Sequence, residues 1–442
     1  MKAVEAVCEI LKREGIDMVI GYPVNHILEY AARVGIRPII VRQERVGLHM
    51  ADAISRITRG KKLGVFAMQH GPGTENAYGG IAQAYGESVP ILVLPMGYPR
   101  RLAWVQPNYN ASVQMRGITK SAEPVTSVQE LPNVLRRAFQ ALKSGRGGPS
   151  LVEVPTDLFN EEIADVAYEP TRHLRVGPDP EDVRIAAAML MEAKRPVLHV
   201  GQGVHWADAY EELKRLAELL AIPVMTSLQG KSAFDETHPL ALGSGGRAYP
   251  ETVHHFLKES DLIFGIGCSF TETAFATPIP KGKKIVHVTL DPADINKDVV
   301  CAHAVLGDAK LVLQALLAEV GKLHGSTPRD RSAVAAEIAS VHKRWMAKWL
   351  PELTAAGSPL SPYRVLWDLQ STVDVANTII THDAGSPRDQ LSPFWRPTAP
   401  LTYIGWGKTT QLGYGLGLAM GAKLAAPDKL CINVWEMCIR DR

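Results

Sequence analysis

Residues 63–76, LGVFAMQHGPGTEN, place a glycine-rich turn directly behind a short apolar run. Residues 63–68 carry no charge and have the length of a strand that is buried on both faces of a sheet. Gly71 and Gly73 permit a close backbone approach, and the predicted helix that follows runs to about Tyr85. A strand, a glycine turn and a helix in this order predict a parallel α/β sheet, whose ligands bind at the carboxyl ends of the strands.

The same pattern continues on both sides of this stretch, so the predicted fold class is α/β with doubly wound parallel sheets. In the first part of the chain we predict helices at 4–13 and 46–59. The predicted strands are 18–20, 38–41, 63–68, 89–95 and 150–154. These elements form a first domain over residues 1–167, which is a common domain size.

The remaining chain is divided by two segments rich in proline, glycine and serine. The first predicted linker is 168–180, and the second is 326–362 with a helix at 333–349 inside it. Between them, a predicted helix at 207–220 and strands at 197–200, 223–226, 262–266 and 285–290 indicate a central Rossmann-like domain over 181–325. Residues 363–442 open with a helix and a strand at 378–381, and they are few for a sheet domain.

Composition and charge exclude several classes of partner. The chain has 48 Lys and Arg against 46 Asp and Glu, a net charge of +2, and its basic residues are dispersed. This argues against a nucleic-acid or membrane-surface ligand. The five cysteines are scattered and form no CxxC pair, which favours a reducing compartment over a disulfide framework or a zinc site. Because it has neither a signal-peptide pattern nor an apolar run of about 18 residues, we predict a soluble cytoplasmic protein.

Nucleotide-binding motifs are incomplete in this sequence. GKS at 230–232 and GKT at 407–409 end like phosphate loops, but Met225 and Thr402 stand where the first glycine is required. Gly201 and Gly203 follow a predicted strand, yet Trp206 replaces the third glycine of a dinucleotide fingerprint. A nucleotide-binding oxidoreductase built on the central domain therefore lacks its sequence signature.

Glu44 follows the predicted strand 38–41, which places it at the carboxyl edge of the first sheet, where ligands bind. The alternative is a surface ion pair with Arg42 or Arg45. The turn at 71–76 likewise has two interpretations, a ligand contact or a tight turn with Thr74 as helix cap. The residues alone leave both questions open.

The order of these motifs resembles the pyrimidine-binding domain of thiamine-diphosphate-dependent enzymes. The matching motifs are GYP at 21–23, RQER at 42–45, ADA at 51–53, GPGTEN at 71–76 and SVPI at 88–91.

Later motifs extend the resemblance to acetolactate synthases and to all three parts of the chain. GITK at 117–120, SGRGGP at 144–149 and VPTD at 154–157 are similar to the end of the first domain of these synthases. RPV at 195–197, IPV at 222–224 and GDAK at 307–310 resemble the central domain. YGLGLAMGA at 414–422 resembles the helix that leads into the diphosphate-binding motif.

This resemblance implies that Glu44 is the catalytic glutamate that bonds the N1′ atom of the cofactor's aminopyrimidine. The implied cofactor is thiamine diphosphate, and the implied substrate is a 2-keto acid that is decarboxylated before its acyl fragment passes to an acceptor. A simple 2-keto acid decarboxylase, an acetyltransferase or a non-catalytic relative would share the same motifs. The implied cofactor-binding residues are Gly21, Pro23, Glu44, Gly71, Pro72, Gly73, Asn76, Gly385, Ser386, Thr410 and Leu412.

Four further residues receive interpretations from the resemblance. Lys120 matches a lysine near the substrate entrance, where it would attract the keto-acid carboxylate, with an exposed surface lysine as the alternative. Leu412 matches a bulky apolar residue beneath the bent cofactor, with an ordinary core position as the alternative. Gln106 corresponds to a glutamine near the thiazolium, and His70 either contacts substrate or packs locally. No segment near 268–273 resembles the flavin-associated part of acetolactate synthases, so binding of FAD is doubtful.

The end of the sequence departs from the family pattern. After Trp435 the family continues with Gly-Asp and a later Asn that bind Mg²⁺, whereas this chain ends in EMCIRDR at 436–442, which resembles translated adapter sequence. We therefore expect a truncated third domain over 363–442, magnesium ligands outside the present sequence, and an inactive chain as written. The resemblance also implies a homodimer or tetramer in which Glu44 reaches cofactor held by a partner chain.

Overall fold

A computed structural model of the chain describes residues 1–164, 166–409 and 411–435. The chain separates into two units. One comprises Met1–Leu174 together with Gln411–Asp428, and the other comprises Arg175–Thr410 and Lys429–Arg442, each as far as it is described. The boundaries drawn from the sequence at 167, 180, 325 and 362 remain predictions.

Six parallel strands form the sheet of the first unit, and every strand predicted here is present. They are β1 (Met18–Gly21), β2 (Arg37–Ile40), β3 (Gly64–Met68), β4 (Ile91–Gly97), β5 (Ser121–Pro124) and β6 (Ser150–Pro155). Their order is β2-β1-β3-β4-β6-β5. The central strands β3, β4 and β6 are buried along their whole length, as the continuous apolar run at 63–68 predicts for strands covered on both faces.

Helices from the same part of the chain flank this sheet. They are α1 (Ala3–Arg13), α2 (His26–Arg33), α3 (Glu44–Ile57), α4 (Pro72–Gly86), α5 (Ala111–Gln114) and α6 (Leu131–Leu142). The sequence analysis placed the start of α3 two residues too late, because Glu44 is already its first helical residue. It missed β5, whose residues Ser-Ala-Glu-Pro lack an apolar pattern because an edge strand is only partly buried.

The second unit contains two further parallel sheets. The larger comprises β7 (Pro196–Val200), β8 (Val224–Thr226), β9 (Ala241–Ser244), β10 (Leu262–Ile266), β11 (Lys284–Thr289) and β12 (His303–Leu306), in the order β12-β11-β10-β7-β8-β9. The smaller comprises β13 (Thr378–His382), β14 (Tyr403–Ile404) and β15 (Leu430–Val434), in the order β14-β13-β15. The predicted doubly wound α/β architecture is confirmed.

Eight helices accompany these sheets in the described part of the second unit. They are α7 (Pro180–Glu192), α8 (Gly203–Ala207), α9 (Tyr210–Leu220), α10 (Glu251–Glu259), α11 (Ala309–His324), α12 (Ser332–Leu353), α13 (Pro362–Thr372) and α14 (Ser386–Leu391). The single helix predicted at 207–220 was wrong at its start. Asp208 has a φ of 55°, a left-handed conformation that ends α8 before α9 begins.

One last helix, α15 (Tyr414–Ala425), returns to the first unit and packs on α3. Added Cβ atoms at Gly417 and Gly421 would lie 2.4 Å from the Cβ of His49 and 2.2 Å from the carbonyl oxygen of Met50. These two glycines therefore allow the helix backbones to approach closely. None of the helices in the described ranges has both the length and the apolar character required to cross a bilayer.

A cluster of aromatic and imidazole rings lies in the central sheet. His199 on β7 and His287 on β11 both pair in register with Gly265 on β10. The Phe270 ring covers Gly265, stacks on His199 at 5.1 Å between centroids and meets His287 edge-on at 4.9 Å. Burial, followed by the nearby His287, lowers the pKa of His199 from its ordinary 6.5 to about 4.

We expect acid to destabilise this unit through His199. Between about pH 6.5 and pH 4 the unfolded chain binds the proton and the folded chain does not, so stability falls as pH falls through this window. At pH 5 the loss amounts to about 2 kcal/mol. His199→Phe should therefore lose less stability than the wild type between pH 7 and pH 5, measured by thermal unfolding at both values.

The exposed His254 supplies the control, because His254→Phe removes an imidazole outside this cluster. An equal acid sensitivity of the His199→Phe variant and the wild type would contradict the assignment to His199.

Candidate functional site

The order of strands places one ligand crevice in the first unit. β1 has β2 on one side and β3 on the other, so the direction of winding reverses at this point. β1 ends at Gly21. Glu44 follows the carboxyl end of β2, and the turn at Gly71 follows the carboxyl end of β3. In doubly wound sheets, ligands bind in the crevice at this reversal.

Glu44 is buried, and its carboxylate has no partner among the described residues. Only 4% of the residue is exposed. Within the described ranges, its carboxylate forms no hydrogen bond and no ion pair with another residue. The alternative of a surface ion pair with Arg42 or Arg45 is therefore wrong. A buried carboxylate is costly unless it is paired, so this geometry favours a ligand that presents a hydrogen-bond donor.

The turn at Gly71–Gly73 lies against this carboxylate. Gly71 has a φ of 58° and a ψ of −112° and precedes Pro72, the first residue of α4. An added Cβ at Gly73 would lie 3.6 Å from Oε1 of Glu44, so the missing side chain leaves room beside the carboxylate. Thr74 does not cap this helix, because Gly71 occupies the N-cap position and the Thr74 hydroxyl donates to the Gln69 carbonyl at 3.3 Å.

Three aromatic side chains support the turn. The Tyr109 hydroxyl lies 2.8 Å from the Gly71 carbonyl oxygen and 3.1 Å from a carboxylate oxygen of Glu75. The His70 ring meets the Tyr98 ring edge-on at 4.4 Å between centroids, which is the local packing that one interpretation of His70 predicted. Burial lowers the pKa of His70. The sequence analysis missed Tyr98 and Tyr109, since no motif marks them.

The loop after β1 is held close to β3. An added Cβ at Gly21 would lie 2.7 Å from the Ala67 carbonyl oxygen, so this position requires glycine. Pro23 is exposed beyond it. Asn25, which no sequence motif marks, is buried in this loop and donates to the last residue of β3 and to the middle of β4.

The segment before α15 lies beside α3 within the same unit. Leu412 is 36% exposed, so the alternative of an ordinary core position is wrong. The Nε2 atom of His49 lies 2.6 Å from the amide oxygen of Gln411. Burial lowers the pKa of His49 to about 4, so at neutral pH its uncharged ring donates to Gln411. A role of Leu412 beneath a cofactor remains a prediction.

Lys120 does not join this group of residues. It immediately precedes β5, the strand at the far edge of the sheet, and so lies at the amino end of the strands. Its ammonium group donates to the carbonyl oxygens of Ala141 and Ser144 at the end of α6. A positive charge there complements the helix terminus, and its predicted contact with substrate has no counterpart in this geometry.

The other predicted residues are dispersed. Asn76 is exposed on the second turn of α4, and Gln106 is exposed in the loop after β4. Gly385, with a φ of 79°, and Ser386 are exposed at the start of α14 in the second unit. Thr410 and the tail at 436–442 lie outside the described residues.

The central sheet does not offer a comparable crevice. Its winding reverses between β7 and β10, where the Gly203 amide donates to the Gly267 carbonyl at 2.8 Å. An added Cβ at Gly201 would lie 2.3 Å from the same oxygen. Lys231 of the GKS motif is fully buried and paired with Glu236 at 2.6 Å. Backbone therefore fills the place that a nucleotide phosphate would need, which argues against a nucleotide-binding oxidoreductase.

Comparison with known proteins agrees with this geometry. Residues 1–114 match the family model for the N-terminal TPP binding domain of thiamine pyrophosphate enzymes. Residues 183–316 match the central domain, and 383–435 match the C-terminal TPP binding domain.

Relatives along almost the whole chain are named as acetolactate synthase large subunits. The chain is 32% identical to that of Parasynechococcus marenigrum, over 97% of this chain and 70% of the relative. It is 31% identical to the probable large subunit of Methanocaldococcus jannaschii, over 98% and 75%. The chain belongs to the thiamine pyrophosphate enzyme family. Isozyme 3 of Escherichia coli is 29% identical, over 98% of this chain and 77% of the relative.

The first unit of this thiamine pyrophosphate enzyme fits the pyrimidine end of the cofactor. Glu44 supplies a buried acceptor that has no partner in the described part of the chain, and Gly73 places no side chain beside it. In the second unit, the buried amide nitrogen of Asn433, near the end of β15, has no hydrogen-bond partner within residues 1–164, 166–409 and 411–435. The described residues contain no cluster of three His, Cys, Asp or Glu side chains that could hold a metal ion.

We expect the family's glycine turn to tolerate no side chain at position 71. Gly71→Ala places a Cβ 2.8 Å from the Tyr98 hydroxyl and forces alanine into a region that only glycine adopts readily. The substitution should cost about 2 to 3 kcal/mol of unfolding free energy, measured in urea.

Gly15→Ala provides the matched control. Gly15 also has a positive φ, of 83°, but an added Cβ there meets no atom within 4 Å. It should cost about 1 kcal/mol. Equal losses for both variants would show that the contact with Tyr98 is unimportant.

Proposed function

We propose that the full-length protein uses thiamine diphosphate to decarboxylate a 2-keto acid and to pass the acyl fragment to an acceptor, as acetolactate synthases do. The observation that carries the proposal is that Glu44 is buried beside the Gly71–Gly73 turn and that its carboxylate binds no other described residue. The named relatives support it, because they match this chain over almost its whole length.

Glu44 has the central role in this proposal. Thiamine diphosphate, when bound, supplies the electron sink that decarboxylation of a 2-keto acid requires. Glu44 would hold a proton between its carboxylate and the N1′ ring nitrogen. Since the side chain is buried, water competes weakly for this hydrogen bond, which strengthens it. As the first residue of α3, Glu44 also lies where the helix dipole stabilises a negative charge.

The turn residues would position the ring against Glu44. Gly73 places no side chain beside the carboxylate, and the Tyr109 hydroxyl donates to the Gly71 carbonyl and so fixes it. Gly21 keeps the first loop close to β3, beside the same crevice. In this proposal these residues bind and orient the ring.

At the other end of the cofactor we propose contacts from Gly385 and Ser386 to the diphosphate, with Mg²⁺ as its counter-ion. Mg²⁺ requires several hard oxygen ligands, which the diphosphate supplies in part. The relatives are named as large subunits, which supports a multimeric assembly, and we propose that it is a homodimer or tetramer. The cellular location remains a prediction.

The first test is Glu44→Gln in the full-length protein. Glutamine keeps the size of the side chain but cannot hold the proton, so turnover of 2-keto acids should fall by about 100-fold or more. Binding of thiamine diphosphate with Mg²⁺, measured by calorimetry, should weaken. Because Glu44 has no hydrogen bond or ion pair to another described residue, the thermal midpoint should stay close to that of the wild type.

Glu29→Gln is the control, since Glu29 is an exposed carboxylate paired with Arg33 on the neighbouring helix α2. Unchanged turnover in the Glu44→Gln variant would overturn the proposal. The products distinguish the chemistries: an acetohydroxy acid indicates a synthase, an aldehyde alone a simple decarboxylase, and neither a non-catalytic relative.

A further inference from the structure

The side chain of Asn25, in the loop that follows β1, forms three hydrogen bonds. Its amide oxygen accepts from the Ile27 amide at 3.0 Å and so caps α2. Its amide nitrogen donates to the Met68 carbonyl at 2.8 Å and to the Leu94 carbonyl at 3.0 Å. The side chain is buried, and it joins the loop after β1 to the last residue of β3 and to the middle of β4.

A helix cap alone does not require this arrangement. Capping uses only the amide oxygen, and serine, threonine or aspartate would serve equally well. The two donated bonds reach separate strands and need the NH₂ group that distinguishes Asn from these residues. The position therefore has a second purpose besides starting α2.

The preceding residue shows that the loop is held under strain. Val24 has a φ of 83°, in a region that β-branched residues rarely adopt. It is 64% exposed, so packing does not impose this conformation. Such strain persists only where neighbouring interactions determine the backbone, and the bonds of Asn25 supply them.

The bond to Met68 leads directly to the candidate site. An added Cβ at Gly73 would lie 3.1 Å from the Cβ of Gln69, 3.5 Å from that of Met68 and 3.6 Å from Oε1 of Glu44. The end of β3 therefore forms one wall of the space beside Glu44. A shift of the Met68 carbonyl would move that wall.

We propose that Asn25 is a positioning residue for the cofactor's pyrimidine ring, acting through Met68 on the space beside Glu44. The identity of the ligand, the pyrimidine ring, rests on the proposed function. The hydrogen bonds of Asn25 do not depend on it. Asn25 fixes the distance between the loop after β1 and the turn after β3, and Val24 bears the backbone strain that this distance requires.

The test is Asn25→Ser, which keeps a capping oxygen and removes both donated bonds. Without cofactor, hydrogen–deuterium exchange of peptides covering residues 69–78 should become about tenfold faster, because the end of β3 opens more often. Affinity for thiamine diphosphate with Mg²⁺, measured by calorimetry, should fall about tenfold, while the KM for the 2-keto acid changes little.

Ser55→Ala is the matched control. Ser55 is also buried, and its hydroxyl donates to the Pro90 carbonyl at 2.5 Å and accepts from the Gly64 amide at 2.8 Å. It joins the same two strands at their amino ends, away from Glu44. This variant should lose stability without faster exchange in residues 69–78 and without weaker cofactor binding.

Val24→Gly tests the backbone strain at position 24. It also supplies a more stable background in which Asn25→Ser can be measured. Glycine adopts a φ of 83° freely, so the thermal midpoint should rise while exchange in 69–78 stays as in the wild type. If Asn25→Ser alone does not fold, the Val24→Gly background supplies the stability needed to measure it.

Equal exchange in the Asn25→Ser and Ser55→Ala variants, or exchange like that of the wild type, would overturn the positioning role. If the wild type itself binds no thiamine diphosphate, the proposed function fails. The exchange measurement, made without cofactor, then still decides whether Asn25 fixes the turn.

Discussion

The burial of Glu44 at the first position of α3 is the constraint on which the arrangement of the first unit depends. The carboxylate keeps this position only if α3, the helix that bears it, is fixed by contacts on several sides. Glycines on the neighbouring elements allow these close contacts. Added Cβ atoms would lie 2.0 Å from the Ala51 carbonyl at Gly64 on β3 and 2.7 Å from Leu48 at Gly80 on α4. With the contacts of Gly417 and Gly421 on α15, backbone meets α3 from a strand and from two helices.

Buried polar groups determine the orientation in which α15 packs on α3. Arg56 on α3 donates to Asp52 at 2.6 Å and to the Tyr414 hydroxyl at 2.8 Å, and that hydroxyl donates to Asp52 at 2.9 Å. Burial raises the pKa of Asp52, and the charge of Arg56 opposes this shift. Such a closed network fixes the rotation of α15 on α3, because any other rotation would leave buried charges unpaired. Together with the glycines, it holds the start of α3 in one place.

Two sheets with related topology serve different purposes in this chain. In the first, glycines at the reversal of winding leave a space that a buried carboxylate lines. In the second, Gly201, Gly203 and Gly267 pack against one another and fill the corresponding space with backbone. The same residue type opens one crevice and closes the other, so topology alone does not assign a function to a doubly wound sheet.

The sequence by itself determined the fold class, five of the six strands of the first sheet and the candidacy of Glu44, because continuous apolar runs and a glycine turn are local signals. It could not show that Glu44 lacks an ion pair, that Lys120 lies at the opposite end of the strands, or that Leu412 is partly exposed. Those facts depend on strand order and burial, which contacts between distant residues decide. Asn25 and Tyr109 were missed for the same reason: their hydrogen bonds reach residues about 40 or more positions away, such as Met68 and Gly71, and only the tertiary structure brings these partners together.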